Sequence, residues 1–285
     1  MDQEIINLYD EYTHKPLSRK QFMSRLIKLT GSAAMAMTAL SVLEVGYAQA
    51  ETISEQDEDL ITEDISYPGD GCTMKAYLAR PKASGKYGSV VVIHENRGLN
   101  PHIKDISRRI AKAGFIALAP DALSPLGGTP ENTDDARALF SKLDSSKNLN
   151  NFLNALDYLK SGKQSNKKTA CIGFCWGGAL TNRIAVSSPS LNAAVAYYGG
   201  QPNAEDVPKI KAKLMLHYAG MDERVNAGIP AYETALKAAG TSYQLFIYEG
   251  VQHAFNNDTG GERYNADAAK LAWNRTLDLF NKTIK

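Results

Sequence analysis

Residues 173–178, with the sequence GFCWGG, constrain the fold more than any other stretch of the chain. An apolar run, residues 169–172, precedes them, and residues 179–185 have the pattern of a helix. A strand, a sharp turn and a helix around G-x-C-x-G form a nucleophile elbow, whose central side chain projects above the edge of a sheet. The flanking glycines allow the strand and the helix to approach each other closely. Cys175 is therefore the candidate nucleophile, and the alternative is a buried cysteine beside a glycine turn.

Composition excludes several other classes of protein. The chain has 285 residues, of which 44% are hydrophobic and 22% are charged, and its formal net charge is +1. This is a globular composition, and the length allows one large domain or two small ones. Near-neutral charge predicts no nucleic-acid partner. Three cysteines, Cys72, Cys171 and Cys175, make no disulfide framework and lie far from other zinc ligands in the sequence, so we expect neither a metal site nor a cofactor.

Residues 1–50 contain the parts of an export signal. A basic start at residues 18–20 precedes an apolar stretch, residues 26–45, and an Ala-Gln-Ala ending at residues 48–50. The Arg-Lys pair resembles a twin-arginine signal, which predicts a periplasmic protein with the export machinery as a partner. The apolar stretch is too short and weak for a membrane span. The alternative is a cytoplasmic protein with a retained helical arm that packs on the domain or on a partner subunit.

The rest of the chain predicts an acidic linker and one α/β domain. Residues 51–60 contain five acids and predict an exposed linker. In residues 61–285, apolar runs of strand length alternate with segments of helical period. The predicted strands are 61–67, 74–80, 89–94, 115–119, 169–172, 193–198, 214–218 and 243–248. The predicted helices are 101–113, 133–143, 149–160, 179–185, 231–239 and 263–280. This alternation predicts a mainly parallel sheet of about eight strands, with an antiparallel first pair and helices on both faces.

An acid and a histidine follow the last two predicted strands. Asp222 comes after strand 214–218, and His253 comes after strand 243–248. Reactive groups gather at the carboxyl ends of strands, and the order nucleophile, acid, histidine is that of the α/β-hydrolase fold. We predict that His253 takes the proton of Cys175 and that Asp222 orients His253. The alternatives are a solvated loop histidine and a turn-forming aspartate.

The other histidines are placed less well for the role of base. His217 lies within a predicted strand, His14 precedes the domain, and His102 lies at the start of a helix. Glu223 is next to Asp222 and could replace it, but Asp222 is closer to the end of the strand. These residues are therefore not assigned to the catalytic set.

An oxyanion formed at the nucleophile requires two backbone donors. One comes from the residue after the nucleophile, here Trp176, and the other from the loop after an early strand. That loop comprises residues 94–99, and the amide of Asn96 is the best-placed donor in it. We therefore predict an oxyanion hole formed by the amides of Trp176 and Asn96.

Glu95 is an unusual residue because a carboxylate at the end of a buried strand is costly unless it is paired. One interpretation is a surface glutamate that pairs with Arg97 or Arg108. The other is that Glu95 contacts the thiol of Cys175 and modulates the nucleophile. The sequence leaves both interpretations open.

Together these residues resemble the dienelactone hydrolase family of α/β-hydrolases, which are carboxymethylenebutenolidase-like enzymes, over residues 61–285. The resemblance is carried by HENRG at 94–98, APD at 119–121, GFCWGG at 173–178, YG at 198–199, GMD at 220–222 and GVQHAF at 250–255. It implies hydrolysis of a cyclic enol ester by a Cys-His-Asp triad through an acyl-thioester. It also implies that Glu95 keeps Cys175 as an unreactive thiol until an anionic substrate binds.

The substrate-binding residues match that family less well. The family binds a substrate carboxylate with arginines, and Arg137 matches the first of them; its alternative is a surface charge on a helix. Ser141 stands where a tyrosine is expected, and Asn257 stands where a second arginine is expected. Arg97 or Arg263 could compensate. The reaction type is therefore predicted more firmly than the substrate.

Two further readings stay open from the sequence. The chain could be a general carboxylesterase or thioesterase with another substrate. It could also be a non-catalytic binding protein on the same fold, although neither acid nor base is missing. Oligomerisation is compatible with either reading.

Overall fold

The computed structural model describes residues 1–15, 17–44 and 51–285. The Ala-Gln-Ala end of the predicted export signal, residues 48–50, lies outside the described residues. The strands are β1 (Leu60–Pro68), β2 (Thr73–Pro81), β3 (Tyr87–Ile93), β4 (Ile116–Pro120), β5 (Ser165–Phe174), β6 (Ala193–Tyr197), β7 (Lys213–Ala219) and β8 (Tyr243–Tyr248). The helices are α1 (Gln3–His14), α2 (Arg19–Thr30), α3 (Ala33–Leu43), α4 (Pro101–Lys112), α5 (Thr133–Phe140), α6 (Ser145–Ser161), α7 (Trp176–Ser187), α8 (Glu223–Asn226), α9 (Ile229–Ala238) and α10 (Ala266–Thr283).

The eight strands form one sheet in the order β1-β2-β4-β3-β5-β6-β7-β8. Strand β2 pairs antiparallel with β1 and β4, and all other neighbours are parallel. The predicted α/β fold, with eight strands and an antiparallel first pair, is confirmed. Because the central strands are parallel, the carboxyl ends of β3, β5, β6, β7 and β8 lie at the same edge of the sheet.

Helices cover both faces of the sheet because its central strands are apolar on both sides. In β3, Val90 and Val92 belong to the apolar core on the face that α4 and α10 cover. Val91 and Ile93 belong to the core on the opposite face, under α6, α7 and α9. This alternation follows the two-residue period of a strand. Cys171 is fully buried in the second core, and burial raises the pKa of its thiol to about 12, as expected of an inert core cysteine.

The acid-rich segment 51–59 lies along α4. The amides of Thr52 and Ile53 donate to Asp105, and Lys112 pairs with Asp57. Segment 51–59 is therefore attached to the surface of the domain by polar contacts.

The first three helices form an N-terminal arm, defined here as residues 1–44, with an apolar core of its own. This core includes Tyr9, Tyr12, Phe22 and Leu26, all at most 2% exposed. No single described helix is long and apolar enough to cross a membrane; α2 and α3 reach the required length and apolarity together, but with a bend of 110° between them. The arm packs on the sheet edge at which the predicted catalytic residues lie.

Candidate active site

Cys175 occupies the turn between β5 and α7. Its φ of 56° and ψ of −114° are a backbone conformation that L-residues rarely adopt, and the residue is 6% exposed. A Cβ atom on Gly173 would lie 2.1 Å from the carbonyl oxygen of Gly177, and one on Gly177 would lie 2.4 Å from that of Ile93. Only glycine fits at these two positions. The predicted strand, sharp turn and helix are therefore present, and the backbone at Cys175 is strained.

Asp222 and His253 form a hydrogen-bonded pair beside the elbow. The Nδ1 of His253 lies 2.5 Å from Oδ2 of Asp222, whose Oδ1 accepts from the amide of Val225 at 3.1 Å. Burial alone would raise the pKa of Asp222, but the hydrogen bond and charge of His253 outweigh it and lower the pKa. The ionised carboxylate therefore holds the His253 proton on Nδ1 and leaves Nε2 as the proton acceptor.

The second ring nitrogen of His253 points into the site. Its Nε2 is buried and has no hydrogen-bond partner among the described residues. Burial alone would lower the pKa of His253, but the carboxylates of Asp10 and Asp222 outweigh it and raise the pKa. Burial of a ring nitrogen without a hydrogen-bond partner costs free energy, and such a group in a native structure often has a functional role. Its place near Cys175 makes it available to that sulfur or to a bound molecule.

His14 at the end of α1 contacts the thiol directly. Its Nε2 lies 2.9 Å from Sγ of Cys175, and its Nδ1 lies 3.3 Å from Oδ1 of Asp10. Burial alone would lower the pKa of His14, but the charges and hydrogen bonds of Cys175 and Asp10 raise it to about 9. The sequence analysis did not assign His14 the role of base, and that assignment stays a prediction, but its contact with the sulfur is a feature that the sequence analysis missed. The contact joins residues 161 positions apart through the fold of the arm, and no local pattern signals it.

The residues of the two predicted oxyanion donors, Trp176 and Asn96, line the same cavity as Cys175. Trp176 is the first residue of α7, so its N–H has no carbonyl partner within the helix. Asn96 follows β3, and its side-chain amide donates to the carbonyl of Thr13 in the arm at 2.6 Å. The arm is thus bonded to the oxyanion loop as well as to the sulfur.

His94 orders this loop, a role that the sequence analysis did not assign. Its Nδ1 lies 2.7 Å from the carbonyl of Glu95, and its Nε2 accepts from the amide of Ala122 at 3.1 Å. Its ring stacks on Trp176 with an interplanar angle of 12°. Burial is the largest influence on its pKa and lowers it, so the ring is neutral. The signal available in the sequence was its position as the first residue of the HENRG motif.

Glu95 is buried, at 8% exposure, so the interpretation as a surface glutamate is wrong. Its carboxylate accepts from the hydroxyl of Tyr198 at 3.4 Å and from the side-chain amide of Asn257 at 3.1 Å. Arg108 instead pairs with Glu55 and Asp105. Glu95 is buried because the loop after β3 turns toward the interior of the domain. Glu95 and Cys175 line the same small cavity, and direct contact between them stays a prediction.

Three arginines that the sequence proposes for substrate binding face the arm. The guanidinium of Arg137 lies 3.9 Å over the ring of Tyr12 and donates to the Tyr12 carbonyl. Arg97 donates to the hydroxyl of Tyr9 at 3.5 Å, and Arg263 lies over the ring of Tyr9 at 5.1 Å. Asn257, at the position of the family's second arginine, donates to Glu95 and is 1% exposed. Arg137 is therefore not an isolated surface charge, because it contacts Tyr12 of the arm.

A cavity of about 590 Å³ opens beside the sulfur. Arg137, Phe140, Trp176 and Tyr198 line it from the domain, together with Cys175 and His253. Thr13, His14, Lys15 and Leu17 line it from the arm. The space next to Cys175 is large enough for a small organic ligand.

An elbow after β5, with an acid after β7 and a histidine after β8 on a mainly parallel sheet, defines the protein as an α/β-hydrolase. The model of the dienelactone hydrolase family matches residues 74–284. The chain belongs to the dienelactone hydrolase family.

Relatives and solved structures agree with this assignment. The chain is 33% identical to "Putative carboxymethylenebutenolidase" of Saccharolobus solfataricus over 78% of this chain and 99% of that one. It is 30% identical to the protein of the same name from Methylorubrum extorquens, over 94% of this chain and 96% of that one, so this alignment extends into the arm. The structure titled as that of a "Putative Dienelactone Hydrolase" from Klebsiella pneumoniae has 28% identity and a TM-score of 0.72 over 78% of this chain and 99% of that one.

Proposed function

We propose that this hydrolase cleaves a carboxylic ester or lactone by nucleophilic catalysis at Cys175. The observation that carries the proposal is the Asp222–His253 hydrogen bond of 2.5 Å, which leaves Nε2 of His253 unpaired near the sulfur of the strained elbow. A nucleophile, a base and a group that orients the base are the minimum for acyl transfer. The carboxymethylenebutenolidase name of the relatives supports an ester or lactone substrate.

The reaction follows from the role of each group. Nε2 of His253 accepts the thiol proton, while Asp222 stabilises the resulting imidazolium. The thiolate of Cys175 attacks the carbonyl carbon, and the amides of Trp176 and Asn96 bind the oxyanion. The tetrahedral intermediate collapses to an acyl-thioester as His253 protonates the leaving enolate or alcohol. His253 then removes a proton from water, which hydrolyses the thioester and restores the thiol.

The arm must withdraw from the sulfur for this reaction to proceed. In the docked arrangement Cys175 is bonded to His14, whereas the proposed mechanism requires it to bond to His253. The arm also bonds to Asn96 and Arg137, a predicted oxyanion donor and a predicted substrate-binding residue. In the uncleaved chain, catalysis therefore depends on how often the last turn of α1 leaves the site, and removal of residues 1–50 would free the sulfur from His14.

The nucleophile is tested with aryl esters and acyl-adduct detection. Cys175→Ala is expected to abolish turnover without changing the unfolding transition, and rapid quenching of the native protein should yield an acyl adduct on Cys175 by mass spectrometry. Cys72→Ser is the matched control, because Cys72 lies away from the site near Asn151. Retained turnover in Cys175→Ala, with Cys72→Ser unchanged, would contradict the assignment.

A general carboxylesterase or thioesterase is the second candidate. It is favoured by the departure at Asn257, which is buried against Glu95 and offers no guanidinium to a substrate carboxylate. A panel of matched esters with and without a carboxylate separates the two candidates. A preference for the anionic ester that Arg137→Gln removes supports the dienelactone-like substrate, and equal turnover of both esters supports the general esterase.

We further propose that the protein is exported with residues 1–50 as the signal. The basic, apolar and Ala-x-Ala parts of this segment are the basis for the proposal. N-terminal sequencing of protein recovered from the fractionated host tests it. A periplasmic protein that begins near residue 51 is the expected result, and a cytoplasmic protein that begins at residue 1 would contradict it.

A further inference from the structure

We propose that in the uncleaved chain Cys175, His253 and His14 form a binding site for one divalent cation of the zinc class, which the N-terminal arm completes. Metal binding at this site is a different activity from ester hydrolysis, although both use the sulfur of Cys175. Metal binding itself does not depend on the proposed function; only its predicted inhibitory effect does.

The three side chains have the spacing that a metal ion requires. The sulfur and one ring nitrogen from each histidine all lie within 4.8 Å of one another, and the His14 nitrogen lies 2.9 Å from the sulfur. Bonds of about 2.0–2.3 Å at tetrahedral angles place zinc ligands roughly 3.5 Å apart. The separation of the His14 nitrogen from the sulfur is shorter than this value and the 4.8 Å limit of the group exceeds it, so coordination of one ion by all three ligands requires side-chain adjustment.

The unpaired nitrogen of His253 is the second observation that points to a ligand. His253 is 5% exposed, and its Nε2 has no partner within the described part of the chain. A cavity of about 20 Å³ is lined by His14, Cys175 and His253, together with Glu95. This volume accommodates one water-sized occupant, and hence one ion.

Both histidines are oriented as metal-binding histidines usually are. Nδ1 of His253 is bonded to the carboxylate of Asp222, and Nδ1 of His14 lies 2.8 Å from the backbone carbonyl of Asp10, with the Asp10 carboxylate 3.3 Å away. A carboxylate on the far nitrogen fixes the tautomer and makes the near nitrogen a better ligand. A second candidate group, Asp10, Asp222 and His253, is weaker because the Nδ1 of His253 there already shares a proton with Asp222.

The ligand set selects the class of metal. A thiolate and two imidazoles favour zinc and chemically similar ions such as cobalt(II), whereas magnesium and calcium prefer oxygen ligands. Binding displaces the thiol proton to solvent, and the sulfur lone pair is donated to the metal. Three protein ligands leave a fourth position for water or a small molecule from the adjoining cavity. The bound metal would occupy both nucleophile and base and would hold the arm in place.

Cobalt(II) is the appropriate probe for the full-length, chelator-treated protein, because its spectrum reports thiolate ligation. We expect one equivalent to give a thiolate-to-cobalt charge-transfer band and tetrahedral visible bands. Cys175→Ser should remove the charge-transfer band, His14→Ala should weaken binding at least tenfold, and Asp10→Asn should weaken it roughly 10- to 100-fold. Cys72→Ser is the matched control and should bind as the native protein does.

Zinc inhibition of ester hydrolysis provides the second measurement. One equivalent of Zn²⁺ should inhibit the native protein, a chelator should restore hydrolysis, and His14→Ala should require at least tenfold more Zn²⁺ for the same inhibition. If the chelator-treated protein hydrolyses esters but binds no cobalt at one equivalent, the metal site is wrong and the hydrolase proposal stands. If cobalt binds with a Cys175-dependent band but no ester is hydrolysed, the metal site stands and the hydrolase proposal fails.

Discussion

Replacement of His14 by alanine tests which imidazole serves Cys175 in catalysis. The sulfur is hydrogen-bonded to His14 at 2.9 Å in the docked arrangement, whereas His253 is hydrogen-bonded to the carboxylate of Asp222 in the domain. If His253 is the base, His14 competes with it for the sulfur, and its removal should increase hydrolysis. If His14 is the base, with Asp10 in the role of the orienting acid, the same change should abolish hydrolysis.

The size of the increase follows from the bond that is lost. A hydrogen bond to a charged group contributes about 1.5–3 kcal/mol to stability. Because each 1.4 kcal/mol is a tenfold change in an equilibrium constant, its loss would raise the population with a free sulfur by roughly 10- to 150-fold. The apparent kcat/KM should rise in proportion while the competent state is rare. The bonds of Thr13 to Asn96 and of Tyr12 to Arg137 persist in the variant and keep the increase toward the lower end of this range.

The assay is kcat/KM for a neutral aryl ester at pH 7, with chelator present so that bound metal plays no part. Lys28→Ala is the matched control, since Lys28 is an exposed arm residue that does not line the cavity beside Cys175. A fall in kcat/KM for His14→Ala at unchanged thermal stability would refute the assignment of His253. An unchanged kcat/KM would refute the competition between the two histidines.

Three further predictions follow from the same geometry. The pKa of His14 is raised from 6.5 to about 9, so its contribution to arm docking is complete below about pH 6.5 and is lost as the pH rises through about 9. The ratio of kcat/KM between His14→Ala and the native protein should therefore fall toward one between about pH 7 and pH 9.5. A ratio that stays constant over this range would contradict the prediction. Asn257→Ala removes a buried donor to Glu95 and should lower the free energy of unfolding by about 1–3 kcal/mol in urea titrations, with Cys72→Ser as the control. Gly177→Ala would place a Cβ atom 2.4 Å from the carbonyl oxygen of Ile93, so we expect a loss of more than about 2 kcal/mol in the same titration, and a loss below 0.5 kcal/mol would show that the elbow tolerates a side chain.

Much of the domain is predictable from the sequence because its determinants are local. Apolar runs of strand length mark the buried strands, and in β3 they alternate between the two cores. The convergence of Asp222 and His253 is predictable for a related reason: parallel strands end at one edge, so residues just after them converge. Asp222 and His253 are 31 positions apart and still bond to each other.

The contacts of the arm are not predictable in this way because they depend on tertiary packing. Asp10 and His14 have the i, i+4 spacing of one helix face, which a sequence can show. That this face meets Cys175 depends on the packing of Tyr12 against Phe22 within the arm and against Arg137 on the domain. The sequence also places Glu95 at the end of a strand without showing that Tyr198 and Asn257 bond to its carboxylate.

Two Asp–His pairs face the same sulfur, and their attachment to the protein differs. Asp222 and His253 lie on loops that follow β7 and β8 in the sheet, so their position is set by the core of the domain. Asp10 and His14 lie on α1, whose contacts with the domain include the polar ones of Arg224 with Asp10 and of Asn96 with Thr13. Polar contacts of this kind are individually weak in water and open more readily than a packed core. The pair on the sheet is therefore suited to repeated proton transfer, and the pair on the arm is suited to binding the thiol in the uncleaved chain when no substrate is bound.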